Sequence, residues 1–342
     1  MLEWWQIFVL AVIQGAAELL PVSSSAHVIL AEKLMGLDPS SPEMTFLLVM
    51  LHTGTMFAVL VYYWRRWRAM VVSPAGDWPV DQKSLRVSQA AESRTDALTV
   101  PPPVTGTAPA PPGEVDVPEL RPILYPSRPS LLRFVLLVML ATAVTGVFGG
   151  GLLLLIERVV LEGLLHRPKG EVEELFKSLP LIGTALLAAG VVILLAGWLE
   201  GRTAKRPLTW GAAVWIGLVQ GLCLPFRGFS RSGATISTGM LVGVPRSLSE
   251  EFSFALALVL TPPVIARYAW RLLKDREWAT AEHVLNLLTP GLIGMVLSCL
   301  AGLAALRLLS AMLDKGRWWY FGVYCVLAAG VMYVAAAVLP NG

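Results

Sequence analysis

Residues 18–30 read ELLPVSSSAHVIL and place a carboxylate, three serines and a histidine inside a run that is otherwise apolar. A second polar segment, RGFSRSGATIS over residues 227–237, interrupts another apolar run in the second half of the chain. A charged side chain at the centre of a membrane helix costs about 2.5–3.5 kcal/mol even on lenient insertion scales. Such a residue persists there only with a partner or a function, so the two segments together predict one polar site within a membrane fold of broken helices.

The composition around these segments is that of a membrane protein. Hydrophobic residues make up 55% of the 342 and charged residues only 15%, which is less charge than a soluble domain carries. About 20 apolar residues cross the hydrocarbon core as a helix, and six runs reach that length: 44–64, 131–156, 179–199, 252–270, 284–308 and 318–339. Tryptophans cluster at the run ends, as an interfacial aromatic belt requires: Trp4, Trp5, Trp64, Trp67, Trp198, Trp210, Trp318 and Trp319. We predict an all-α polytopic membrane protein, and the net charge of +3 is too small to indicate a nucleic-acid partner.

One segment, residues 72–129, has a different composition. It is rich in proline, serine, threonine and charge, and such a stretch buries too little apolar surface to fold alone. The basic sequences WRRWR and RPSLLR flank it, which indicates a disordered linker on the cytoplasmic side. The linker separates residues 1–71, which form a re-entrant hairpin and the first span of one repeat, from residues 130–200, the remaining spans of that repeat. Residues 207–342 form a second repeat.

The two halves of the chain resemble each other. VIQG (residues 12–15) matches LVQG (218–221), SSSA (23–26) matches SRSG (230–233), and SPEMTFLLVML from Ser41 matches SEEFSFALALV from Ser249. Each half reads as a re-entrant hairpin followed by three full spans, so the second half enters the membrane upside down, as in inverted-repeat carriers. Positive charge then places both termini outside. Four basic residues are an exception to the rule that basic residues lie on the cytoplasmic side, because this arrangement places them outside: Arg267, Arg271, Lys274 and Arg276.

The first hairpin carries a carboxylate and a potential nucleophile–base pair. Gln14 and Glu18 are four residues apart and share a helix face, and the proline that follows ends that helix. Ser23 can cap a new helix, which places Ser24 and His27 on one face, three residues apart. This spacing positions His27 as a general base, acting either on a nucleophilic Ser24 or on a water.

The second hairpin supplies groups that bind anions. Gly228 lets the backbone approach a ligand closely, and Arg231 offers a planar fork that suits phosphate oxygens. Ser230, Ser232 and Thr235 can donate hydrogen bonds, and two helices that begin inside the membrane direct their N–H groups at one place. A structural alternative is that Arg231 only neutralises the carboxylate of the first hairpin, while the hydroxyl groups bond carbonyl groups of their own helices.

These motifs resemble one known family. Gln14-x-x-x-Glu18 followed by PVSSSAH, paired with GFSRSGAT, resembles undecaprenyl-pyrophosphate phosphatase, an integral membrane enzyme associated with bacitracin resistance. HTGT (residues 52–55) and EFSF (251–254) also resemble the family. The resemblance implies hydrolysis of the C55 isoprenyl diphosphate to the monophosphate and phosphate, which regenerates the lipid carrier for cell-wall synthesis. It further implies a bacterial inner-membrane location with the site open to the periplasmic side, a drug (bacitracin) that acts on the substrate, and a homodimer as one option.

Carried over by position, the resemblance assigns roles to individual residues. The catalytic set is Glu18, Ser24, His27 and Arg231. The substrate-binding set is Gln14, Ser23, Ser25, Gly228, Ser230, Ser232 and Thr235. The chain departs from the family pattern where Ala26 replaces a usual glycine and where Arg227 stands in place of a proline, in a stretch that is one residue longer.

The role of the carboxylate has two interpretations. Glu18, with Gln14 as a second ligand, binds a divalent cation such as Mg²⁺ or Ca²⁺ that meets the phosphates, or it accepts a proton. The rival function is a transporter or flippase of a polyprenyl phosphate lipid, because inverted repeats and a polar site at mid-membrane are typical of carriers. A type-2 phosphatidate phosphatase is a weaker alternative, because separate histidine and arginine motifs of that kind do not occur in the sequence.

Overall fold

The computed structural model describes residues 2–39, 41–72, 129–159, 178–199, 206–274 and 281–339. Apart from its two end residues, the linker predicted over residues 72–129 lies outside the described residues. The described part of the chain forms ten α-helices and contains no strand, which confirms the predicted all-α fold. In chain order they are α1 (Trp4–Leu19), α2 (Ser24–Leu34), α3 (Pro42–Val72), α4 (Leu131–Leu155), α5 (Leu179–Leu199), α6 (Trp210–Cys223), α7 (Arg231–Leu241), α8 (Arg246–Lys274), α9 (Ala281–Asp314) and α10 (Trp319–Val338).

Five of these helices are long and apolar enough to cross a membrane: α3, α4, α5, α9 and α10. Each matches one of the predicted spans, to within one residue at either end for α4 and α10. The sixth predicted span, residues 252–270, lies in α8, a helix of 29 residues with Pro262 and Pro263 inside it. That length exceeds the roughly 20 residues that a crossing requires. The chain is a multi-pass α-helical membrane protein.

Large apolar side chains cover the outside of the helix bundle. Val147 is 79% exposed, Leu327 is 67% exposed and Val338 is 75% exposed. Exposed apolar surface of this extent marks a face that contacts lipid. Most of the tryptophans predicted for the interface are exposed as well: Trp4, Trp5, Trp64, Trp198, Trp210 and Trp319.

Trp318 is wrongly predicted as an interfacial tryptophan. Its side chain is fully buried, and its indole Nε1–H donates to Ser237 Oγ at 3.1 Å. A buried indole needs a partner for its one donor, and Ser237 of α7 provides that partner. Trp318 therefore belongs to the protein core, whereas its neighbour Trp319 faces outward.

Four short helices form the two predicted hairpins. Helices α1 and α2 have 16 and 11 residues, and α6 and α7 have 14 and 11 residues. None of the four reaches the roughly 20 residues that a crossing requires. Each pair is joined by a short break, and these breaks carry the polar segments of the sequence. The re-entrant path of the hairpins through the membrane stays a prediction.

Small residues let the hairpins pack closely against long helices of the other half. A Cβ atom on Gly15 would lie 2.5 Å from the Ser298 carbonyl oxygen of α9, and one on Gly217 would lie 2.6 Å from the Ala141 carbonyl oxygen of α4. Close backbone approach through small residues is the usual way in which membrane helices associate. The first helix of each hairpin is thus held against a long helix. This contact fixes the position of the break between the two helices of the hairpin.

Candidate active site

The structure brings the breaks of the two hairpins into direct contact. The backbone N–H of Gly228, in the second break, donates to Ser25 Oγ at 3.2 Å. In the same region Ser232 Oγ donates to the Leu20 carbonyl oxygen of the first break at 3.2 Å. These bonds join residues that lie far apart in sequence, so the polar segments of the two halves form one polar cluster.

Glu18 is the centre of this cluster. Its Oε1 accepts a hydrogen bond from an Arg231 guanidinium nitrogen at 2.7 Å, and its Oε2 accepts one from Ser24 Oγ at 2.5 Å. Gln14 Nε2 donates to Oε2 at 3.3 Å from one turn earlier on α1. The Glu18 and Arg231 side chains are 17% and 23% exposed, and hydrogen bonds between charged partners in such sites are the stronger kind. The carboxylate thereby links three helices.

Ser23 has an unusual backbone conformation. Its φ is +67°, and among the described residues it is the one residue other than glycine with a positive φ. Ser23 precedes α2, but its side chain makes no capping hydrogen bond and instead lies 3.3 Å from Ser25 Oγ. The prediction that Ser23 caps α2 is therefore wrong, because capping requires extended backbone at that position. Such conformations cost about 1–3 kcal/mol and cluster at active sites.

His27 faces away from Ser24. Its Nδ1 lies 2.7 Å from the Ser23 carbonyl oxygen, so Nδ1 carries the hydrogen and donates. Its Nε2 lies 2.7 Å from the hydroxyl of Tyr324 on α10, and the two rings are stacked with centroids 5.6 Å apart. Both ring nitrogens thus have partners other than Ser24. The predicted Ser24–His27 pair is not formed, and the group that accepts the Ser24 hydrogen is Glu18.

The start of α7 holds the second polar segment. Ser230 caps the helix, since its Oγ accepts a hydrogen bond from the Gly233 N–H at 3.2 Å. Thr235 is fully buried, and its Oγ1 donates to the Arg231 carbonyl oxygen at 2.8 Å and lies 2.6 Å from Ser253 Oγ of α8. Ser230 and Thr235 therefore fix the helix that presents the Arg231 side chain.

A cavity of about 180 Å³ lies between the two breaks. This volume is far larger than the roughly 10–15 Å³ that one water needs, so the cavity has room for a phosphate group. Its wall combines the central polar groups with aromatic and aliphatic side chains: Ala17, Glu18, Ser23, Ser24, Ser25, Cys223, Leu224, Phe226, Arg227, Phe229, Ser230, Arg231 and Ser232. The N-terminus of α7 begins at this wall, as anion sites at helix N-termini do.

The sequence of the whole membrane portion matches one family. A sequence profile described as "Bacitracin resistance protein BacA" matches residues 7–331, which include both hairpins. The chain belongs to the BacA family. Among curated members, the chain is 46% identical over 333 residues to Undecaprenyl-diphosphatase 2 of Acinetobacter baylyi, with 96% of this chain and 97% of the relative covered.

More distant members of the BacA family match over the same extent. The undecaprenyl-diphosphatase of Desulfatibacillum aliphaticivorans is 29% identical, with 98% of this chain and 99% of the relative covered. Undecaprenyl-diphosphatase 1 of Burkholderia pseudomallei (strain K96243) is 30% identical, with 95% of this chain and 94% of the relative covered. The similarity therefore extends over nearly the full length of each relative.

The predicted site residues of this BacA family member fall into two groups. Seven of them line the cavity: Glu18, Ser23, Ser24, Ser25, Ser230, Arg231 and Ser232. The described cavity wall does not include the other four, which are Gln14, His27, Gly228 and Thr235. These four orient or fix residues of the first group through the hydrogen bonds given above. The roles predicted for these four in catalysis and substrate binding stay predictions.

Sequence reasoning missed three residues near the site. His52 Nε2 lies 3.9 Å from Glu18 Oε2, and His52 Nδ1 donates to the Leu48 carbonyl oxygen at 2.7 Å. A histidine inside an apolar span is rare, so the HTGT motif was a usable signal for His52. Tyr324 lies in an ordinary apolar helix, where no sequence pattern marks it. Arg227 lines the cavity and stands out in the sequence as a departure from the family pattern.

The cavity wall offers few side chains that could bind a divalent cation. The described residues hold no group of three or more His, Cys, Asp and Glu side chains that could bind a metal ion, and Glu18 is the one carboxylate of the cavity wall. Mg²⁺ is often held by one or two carboxylates together with substrate phosphates. Both Glu18 oxygens already accept hydrogen bonds from protein donors, so the divalent cation stays a prediction.

Proposed function

We propose that this chain hydrolyses undecaprenyl diphosphate to undecaprenyl phosphate and inorganic phosphate, and so recycles the lipid carrier for cell-wall synthesis. The observation that carries the proposal is the hydrogen-bonded chain Ser24–Glu18–Arg231 at the wall of a cavity between two hairpins. The names of the relatives agree with it. A hydroxyl, its base and an arginine together suit phosphoryl transfer, whereas binding alone requires no nucleophile.

Substrate binding in this mechanism uses charge and helix ends. Arg231 and the N–H groups at the start of α7 hold phosphate oxygens and stabilise the negative charge that moves onto the leaving phosphate. The apolar tail stays in lipid, because the exposed helix faces around the cavity are apolar. The enzyme would take its substrate laterally from the membrane.

The chemical step begins at Ser24. Glu18 accepts the Ser24 hydroxyl proton across their 2.5 Å hydrogen bond, and Ser24 Oγ attacks the terminal phosphorus. The bond between that phosphorus and the bridging oxygen breaks, and undecaprenyl phosphate leaves with the electron pair. Water then hydrolyses phospho-Ser24; its hydroxyl goes to phosphorus, its proton returns to Ser24 and Glu18 releases its proton to solvent. In the alternative route, Glu18 takes the proton of a water that attacks phosphorus directly.

Several further features belong to the proposal. Glu18, with the Gln14 amide oxygen, would hold a Mg²⁺ or Ca²⁺ ion that neutralises phosphate charge. Equilibrium dialysis tests this: wild type should retain Ca²⁺, and E18Q should lose it.

The enzyme sits in the bacterial inner membrane with its cavity open to the periplasmic side. Bacitracin competes by acting on the lipid substrate, so overproduction of the chain should raise bacitracin tolerance. A homodimer is the proposed assembly, and light scattering of the purified protein checks it.

Phosphate release by purified protein in detergent tests the proposed function. With undecaprenyl diphosphate as substrate we expect equal amounts of inorganic phosphate and undecaprenyl phosphate, because one anhydride bond is cleaved. Detergent removes the membrane barrier, so a transporter or flippase would yield neither product. A preparation of folded wild-type protein without phosphate release would contradict hydrolysis and favour transport.

A further inference from the structure

The cavity wall contains two arginines that differ in their surroundings. Arg231 donates to Glu18 Oε1 at 2.7 Å, so its charge is compensated by a neighbouring carboxylate. Arg227 is half-buried at the same wall. Within the described residues, its guanidinium group has no hydrogen bond or ion pair.

The balance of charge at the cavity depends on Arg227. The residues that line the cavity include one acidic residue, Glu18, and two basic residues, Arg227 and Arg231. Since Glu18 and Arg231 neutralise each other, the remaining positive charge of the wall is that of Arg227. Partial burial removes water from a charged group at a cost unless a partner replaces it, so an anionic ligand in the cavity would provide the partner that the protein does not.

The backbone next to Arg227 is held in place by two neighbouring elements. Gly228 has a φ of +97°, and its N–H donates to Ser25 Oγ of the first hairpin at 3.2 Å. A Cβ atom on Gly228 would lie 2.5 Å from the Ile182 carbonyl oxygen of α5. The Arg227 side chain is therefore attached at a fixed point of the break, and the Arg231 side chain is attached at the start of α7.

We propose that Arg227 is a substrate-binding and specificity-determining residue. It contacts the second phosphate group of the diphosphate, the one that the monophosphate product lacks, while Arg231 holds the first. The inference rests on the proposed function. A diphosphate presents two anionic groups and needs a second cation near the Glu18–Arg231 pair, whereas the monophosphate product presents one. Arg227 therefore favours the substrate over the product, and product leaves more readily once the anhydride bond is cleaved.

Steady-state kinetics of Arg227→Gln in detergent test this role. Glutamine removes the charge but keeps a polar side chain. We expect KM for undecaprenyl diphosphate to rise about tenfold or more, as loss of a charged hydrogen bond implies. Inhibition by undecaprenyl phosphate should change less than about threefold, because the product lacks the second phosphate. Arg227→Lys, which keeps a point charge without the bidentate fork, should raise KM by a smaller factor.

Arg133→Gln is the matched control, since Arg133 is exposed at the start of α4 away from the cavity, and it should leave both constants unchanged. An unchanged KM in folded Arg227→Gln, equal changes for substrate and product, or a fall in kcat alone would each overturn the inference. If Arg227→Gln does not fold, the same comparison of KM and product inhibition in Arg227→Lys decides. Inactive wild type would instead contradict the proposed function.

Discussion

The hydroxyl of Ser24 and the ring of His27 have separate partners, although the sequence places both at the start of α2. Ser24 Oγ donates to Glu18 Oε2 at 2.5 Å, while His27 lies between the Ser23 carbonyl and Tyr324. In the proposed mechanism the general base for Ser24 is therefore the Glu18 carboxylate. In that mechanism His27 supports the bend at Ser23 and does not take part in proton transfer from Ser24.

This arrangement predicts unequal effects of Ser24→Ala and His27→Ala. Removal of the nucleophile should lower kcat by about a thousandfold or more, as in other enzymes that lose a nucleophile. His27→Ala should lower kcat only about tenfold, since it loses one buried hydrogen bond to Ser23 and one to Tyr324. Phosphate release by the purified single variants measures both effects.

Tyr324→Phe is the control for His27, because it removes the same Nε2 partner and leaves the ring stacking. Tyr324→Phe should lower kcat by no more than His27→Ala does. A Ser24→Ala enzyme that retains a tenth or more of wild-type kcat, a loss of about 1.4 kcal/mol or less, would contradict serine attack and favour direct attack by water.

At the scale of elements, the second break depends on one glycine. The left-handed conformation of Gly228, at φ +97°, costs a residue with a side chain about 1–2 kcal/mol. Its N–H bond to Ser25 also joins the two hairpins. The break therefore has little freedom to move before the two hairpins separate.

We predict that Gly228→Ala lowers both stability and activity. An alanine Cβ would lie 2.5 Å from the Ile182 carbonyl oxygen, so the break must shift away from α5 and from Ser25. The apparent melting temperature should fall by about 2 °C or more, with phosphate release at least about tenfold lower. Gly146→Ala is the control, because a Cβ there meets nothing within 4 Å; equal behaviour of the two variants would contradict the role of Gly228.

The elements differ in how far the sequence could predict them. Apolar length alone was enough to locate the helices that contain all six predicted spans, because lipid requires continuous hydrogen-bonded helices there. The contact between Glu18 and Arg231 followed from the cost of a lone charge in a membrane. The left-handed Ser23 and the partnership of His27 with Tyr324, which is 297 residues away, depend on packing between helices. No local pattern encodes these contacts, so the sequence predicted a Ser24–His27 pair that the structure does not form.

In the whole molecule, the two halves pack against each other in equivalent ways. Helix α1 packs against α9 through Gly15 and Ser298, and α6 packs against α4 through Gly217 and Ala141. In each case the first helix of one half contacts the fourth helix of the other. Two repeats related by a two-fold axis produce this exchange. The opposite orientation of the two halves in the membrane remains a prediction, and basic residues near the end of α8 speak against it.

Cysteine labelling in intact cells tests this orientation. In a variant without the native Cys223, Cys299 and Cys325, single cysteines at Glu3 and Lys274 should react with an impermeant maleimide from outside. Cysteines at Arg206 and Lys315 should react only after permeabilisation. The inverted arrangement requires Lys274 outside, because α8 must cross the membrane in the direction opposite to α3, whereas the positive-inside rule alone would place it inside. Labelling of Lys274 on the same side as Arg206 would show that α8 does not cross, and would contradict the inverted arrangement of the two halves.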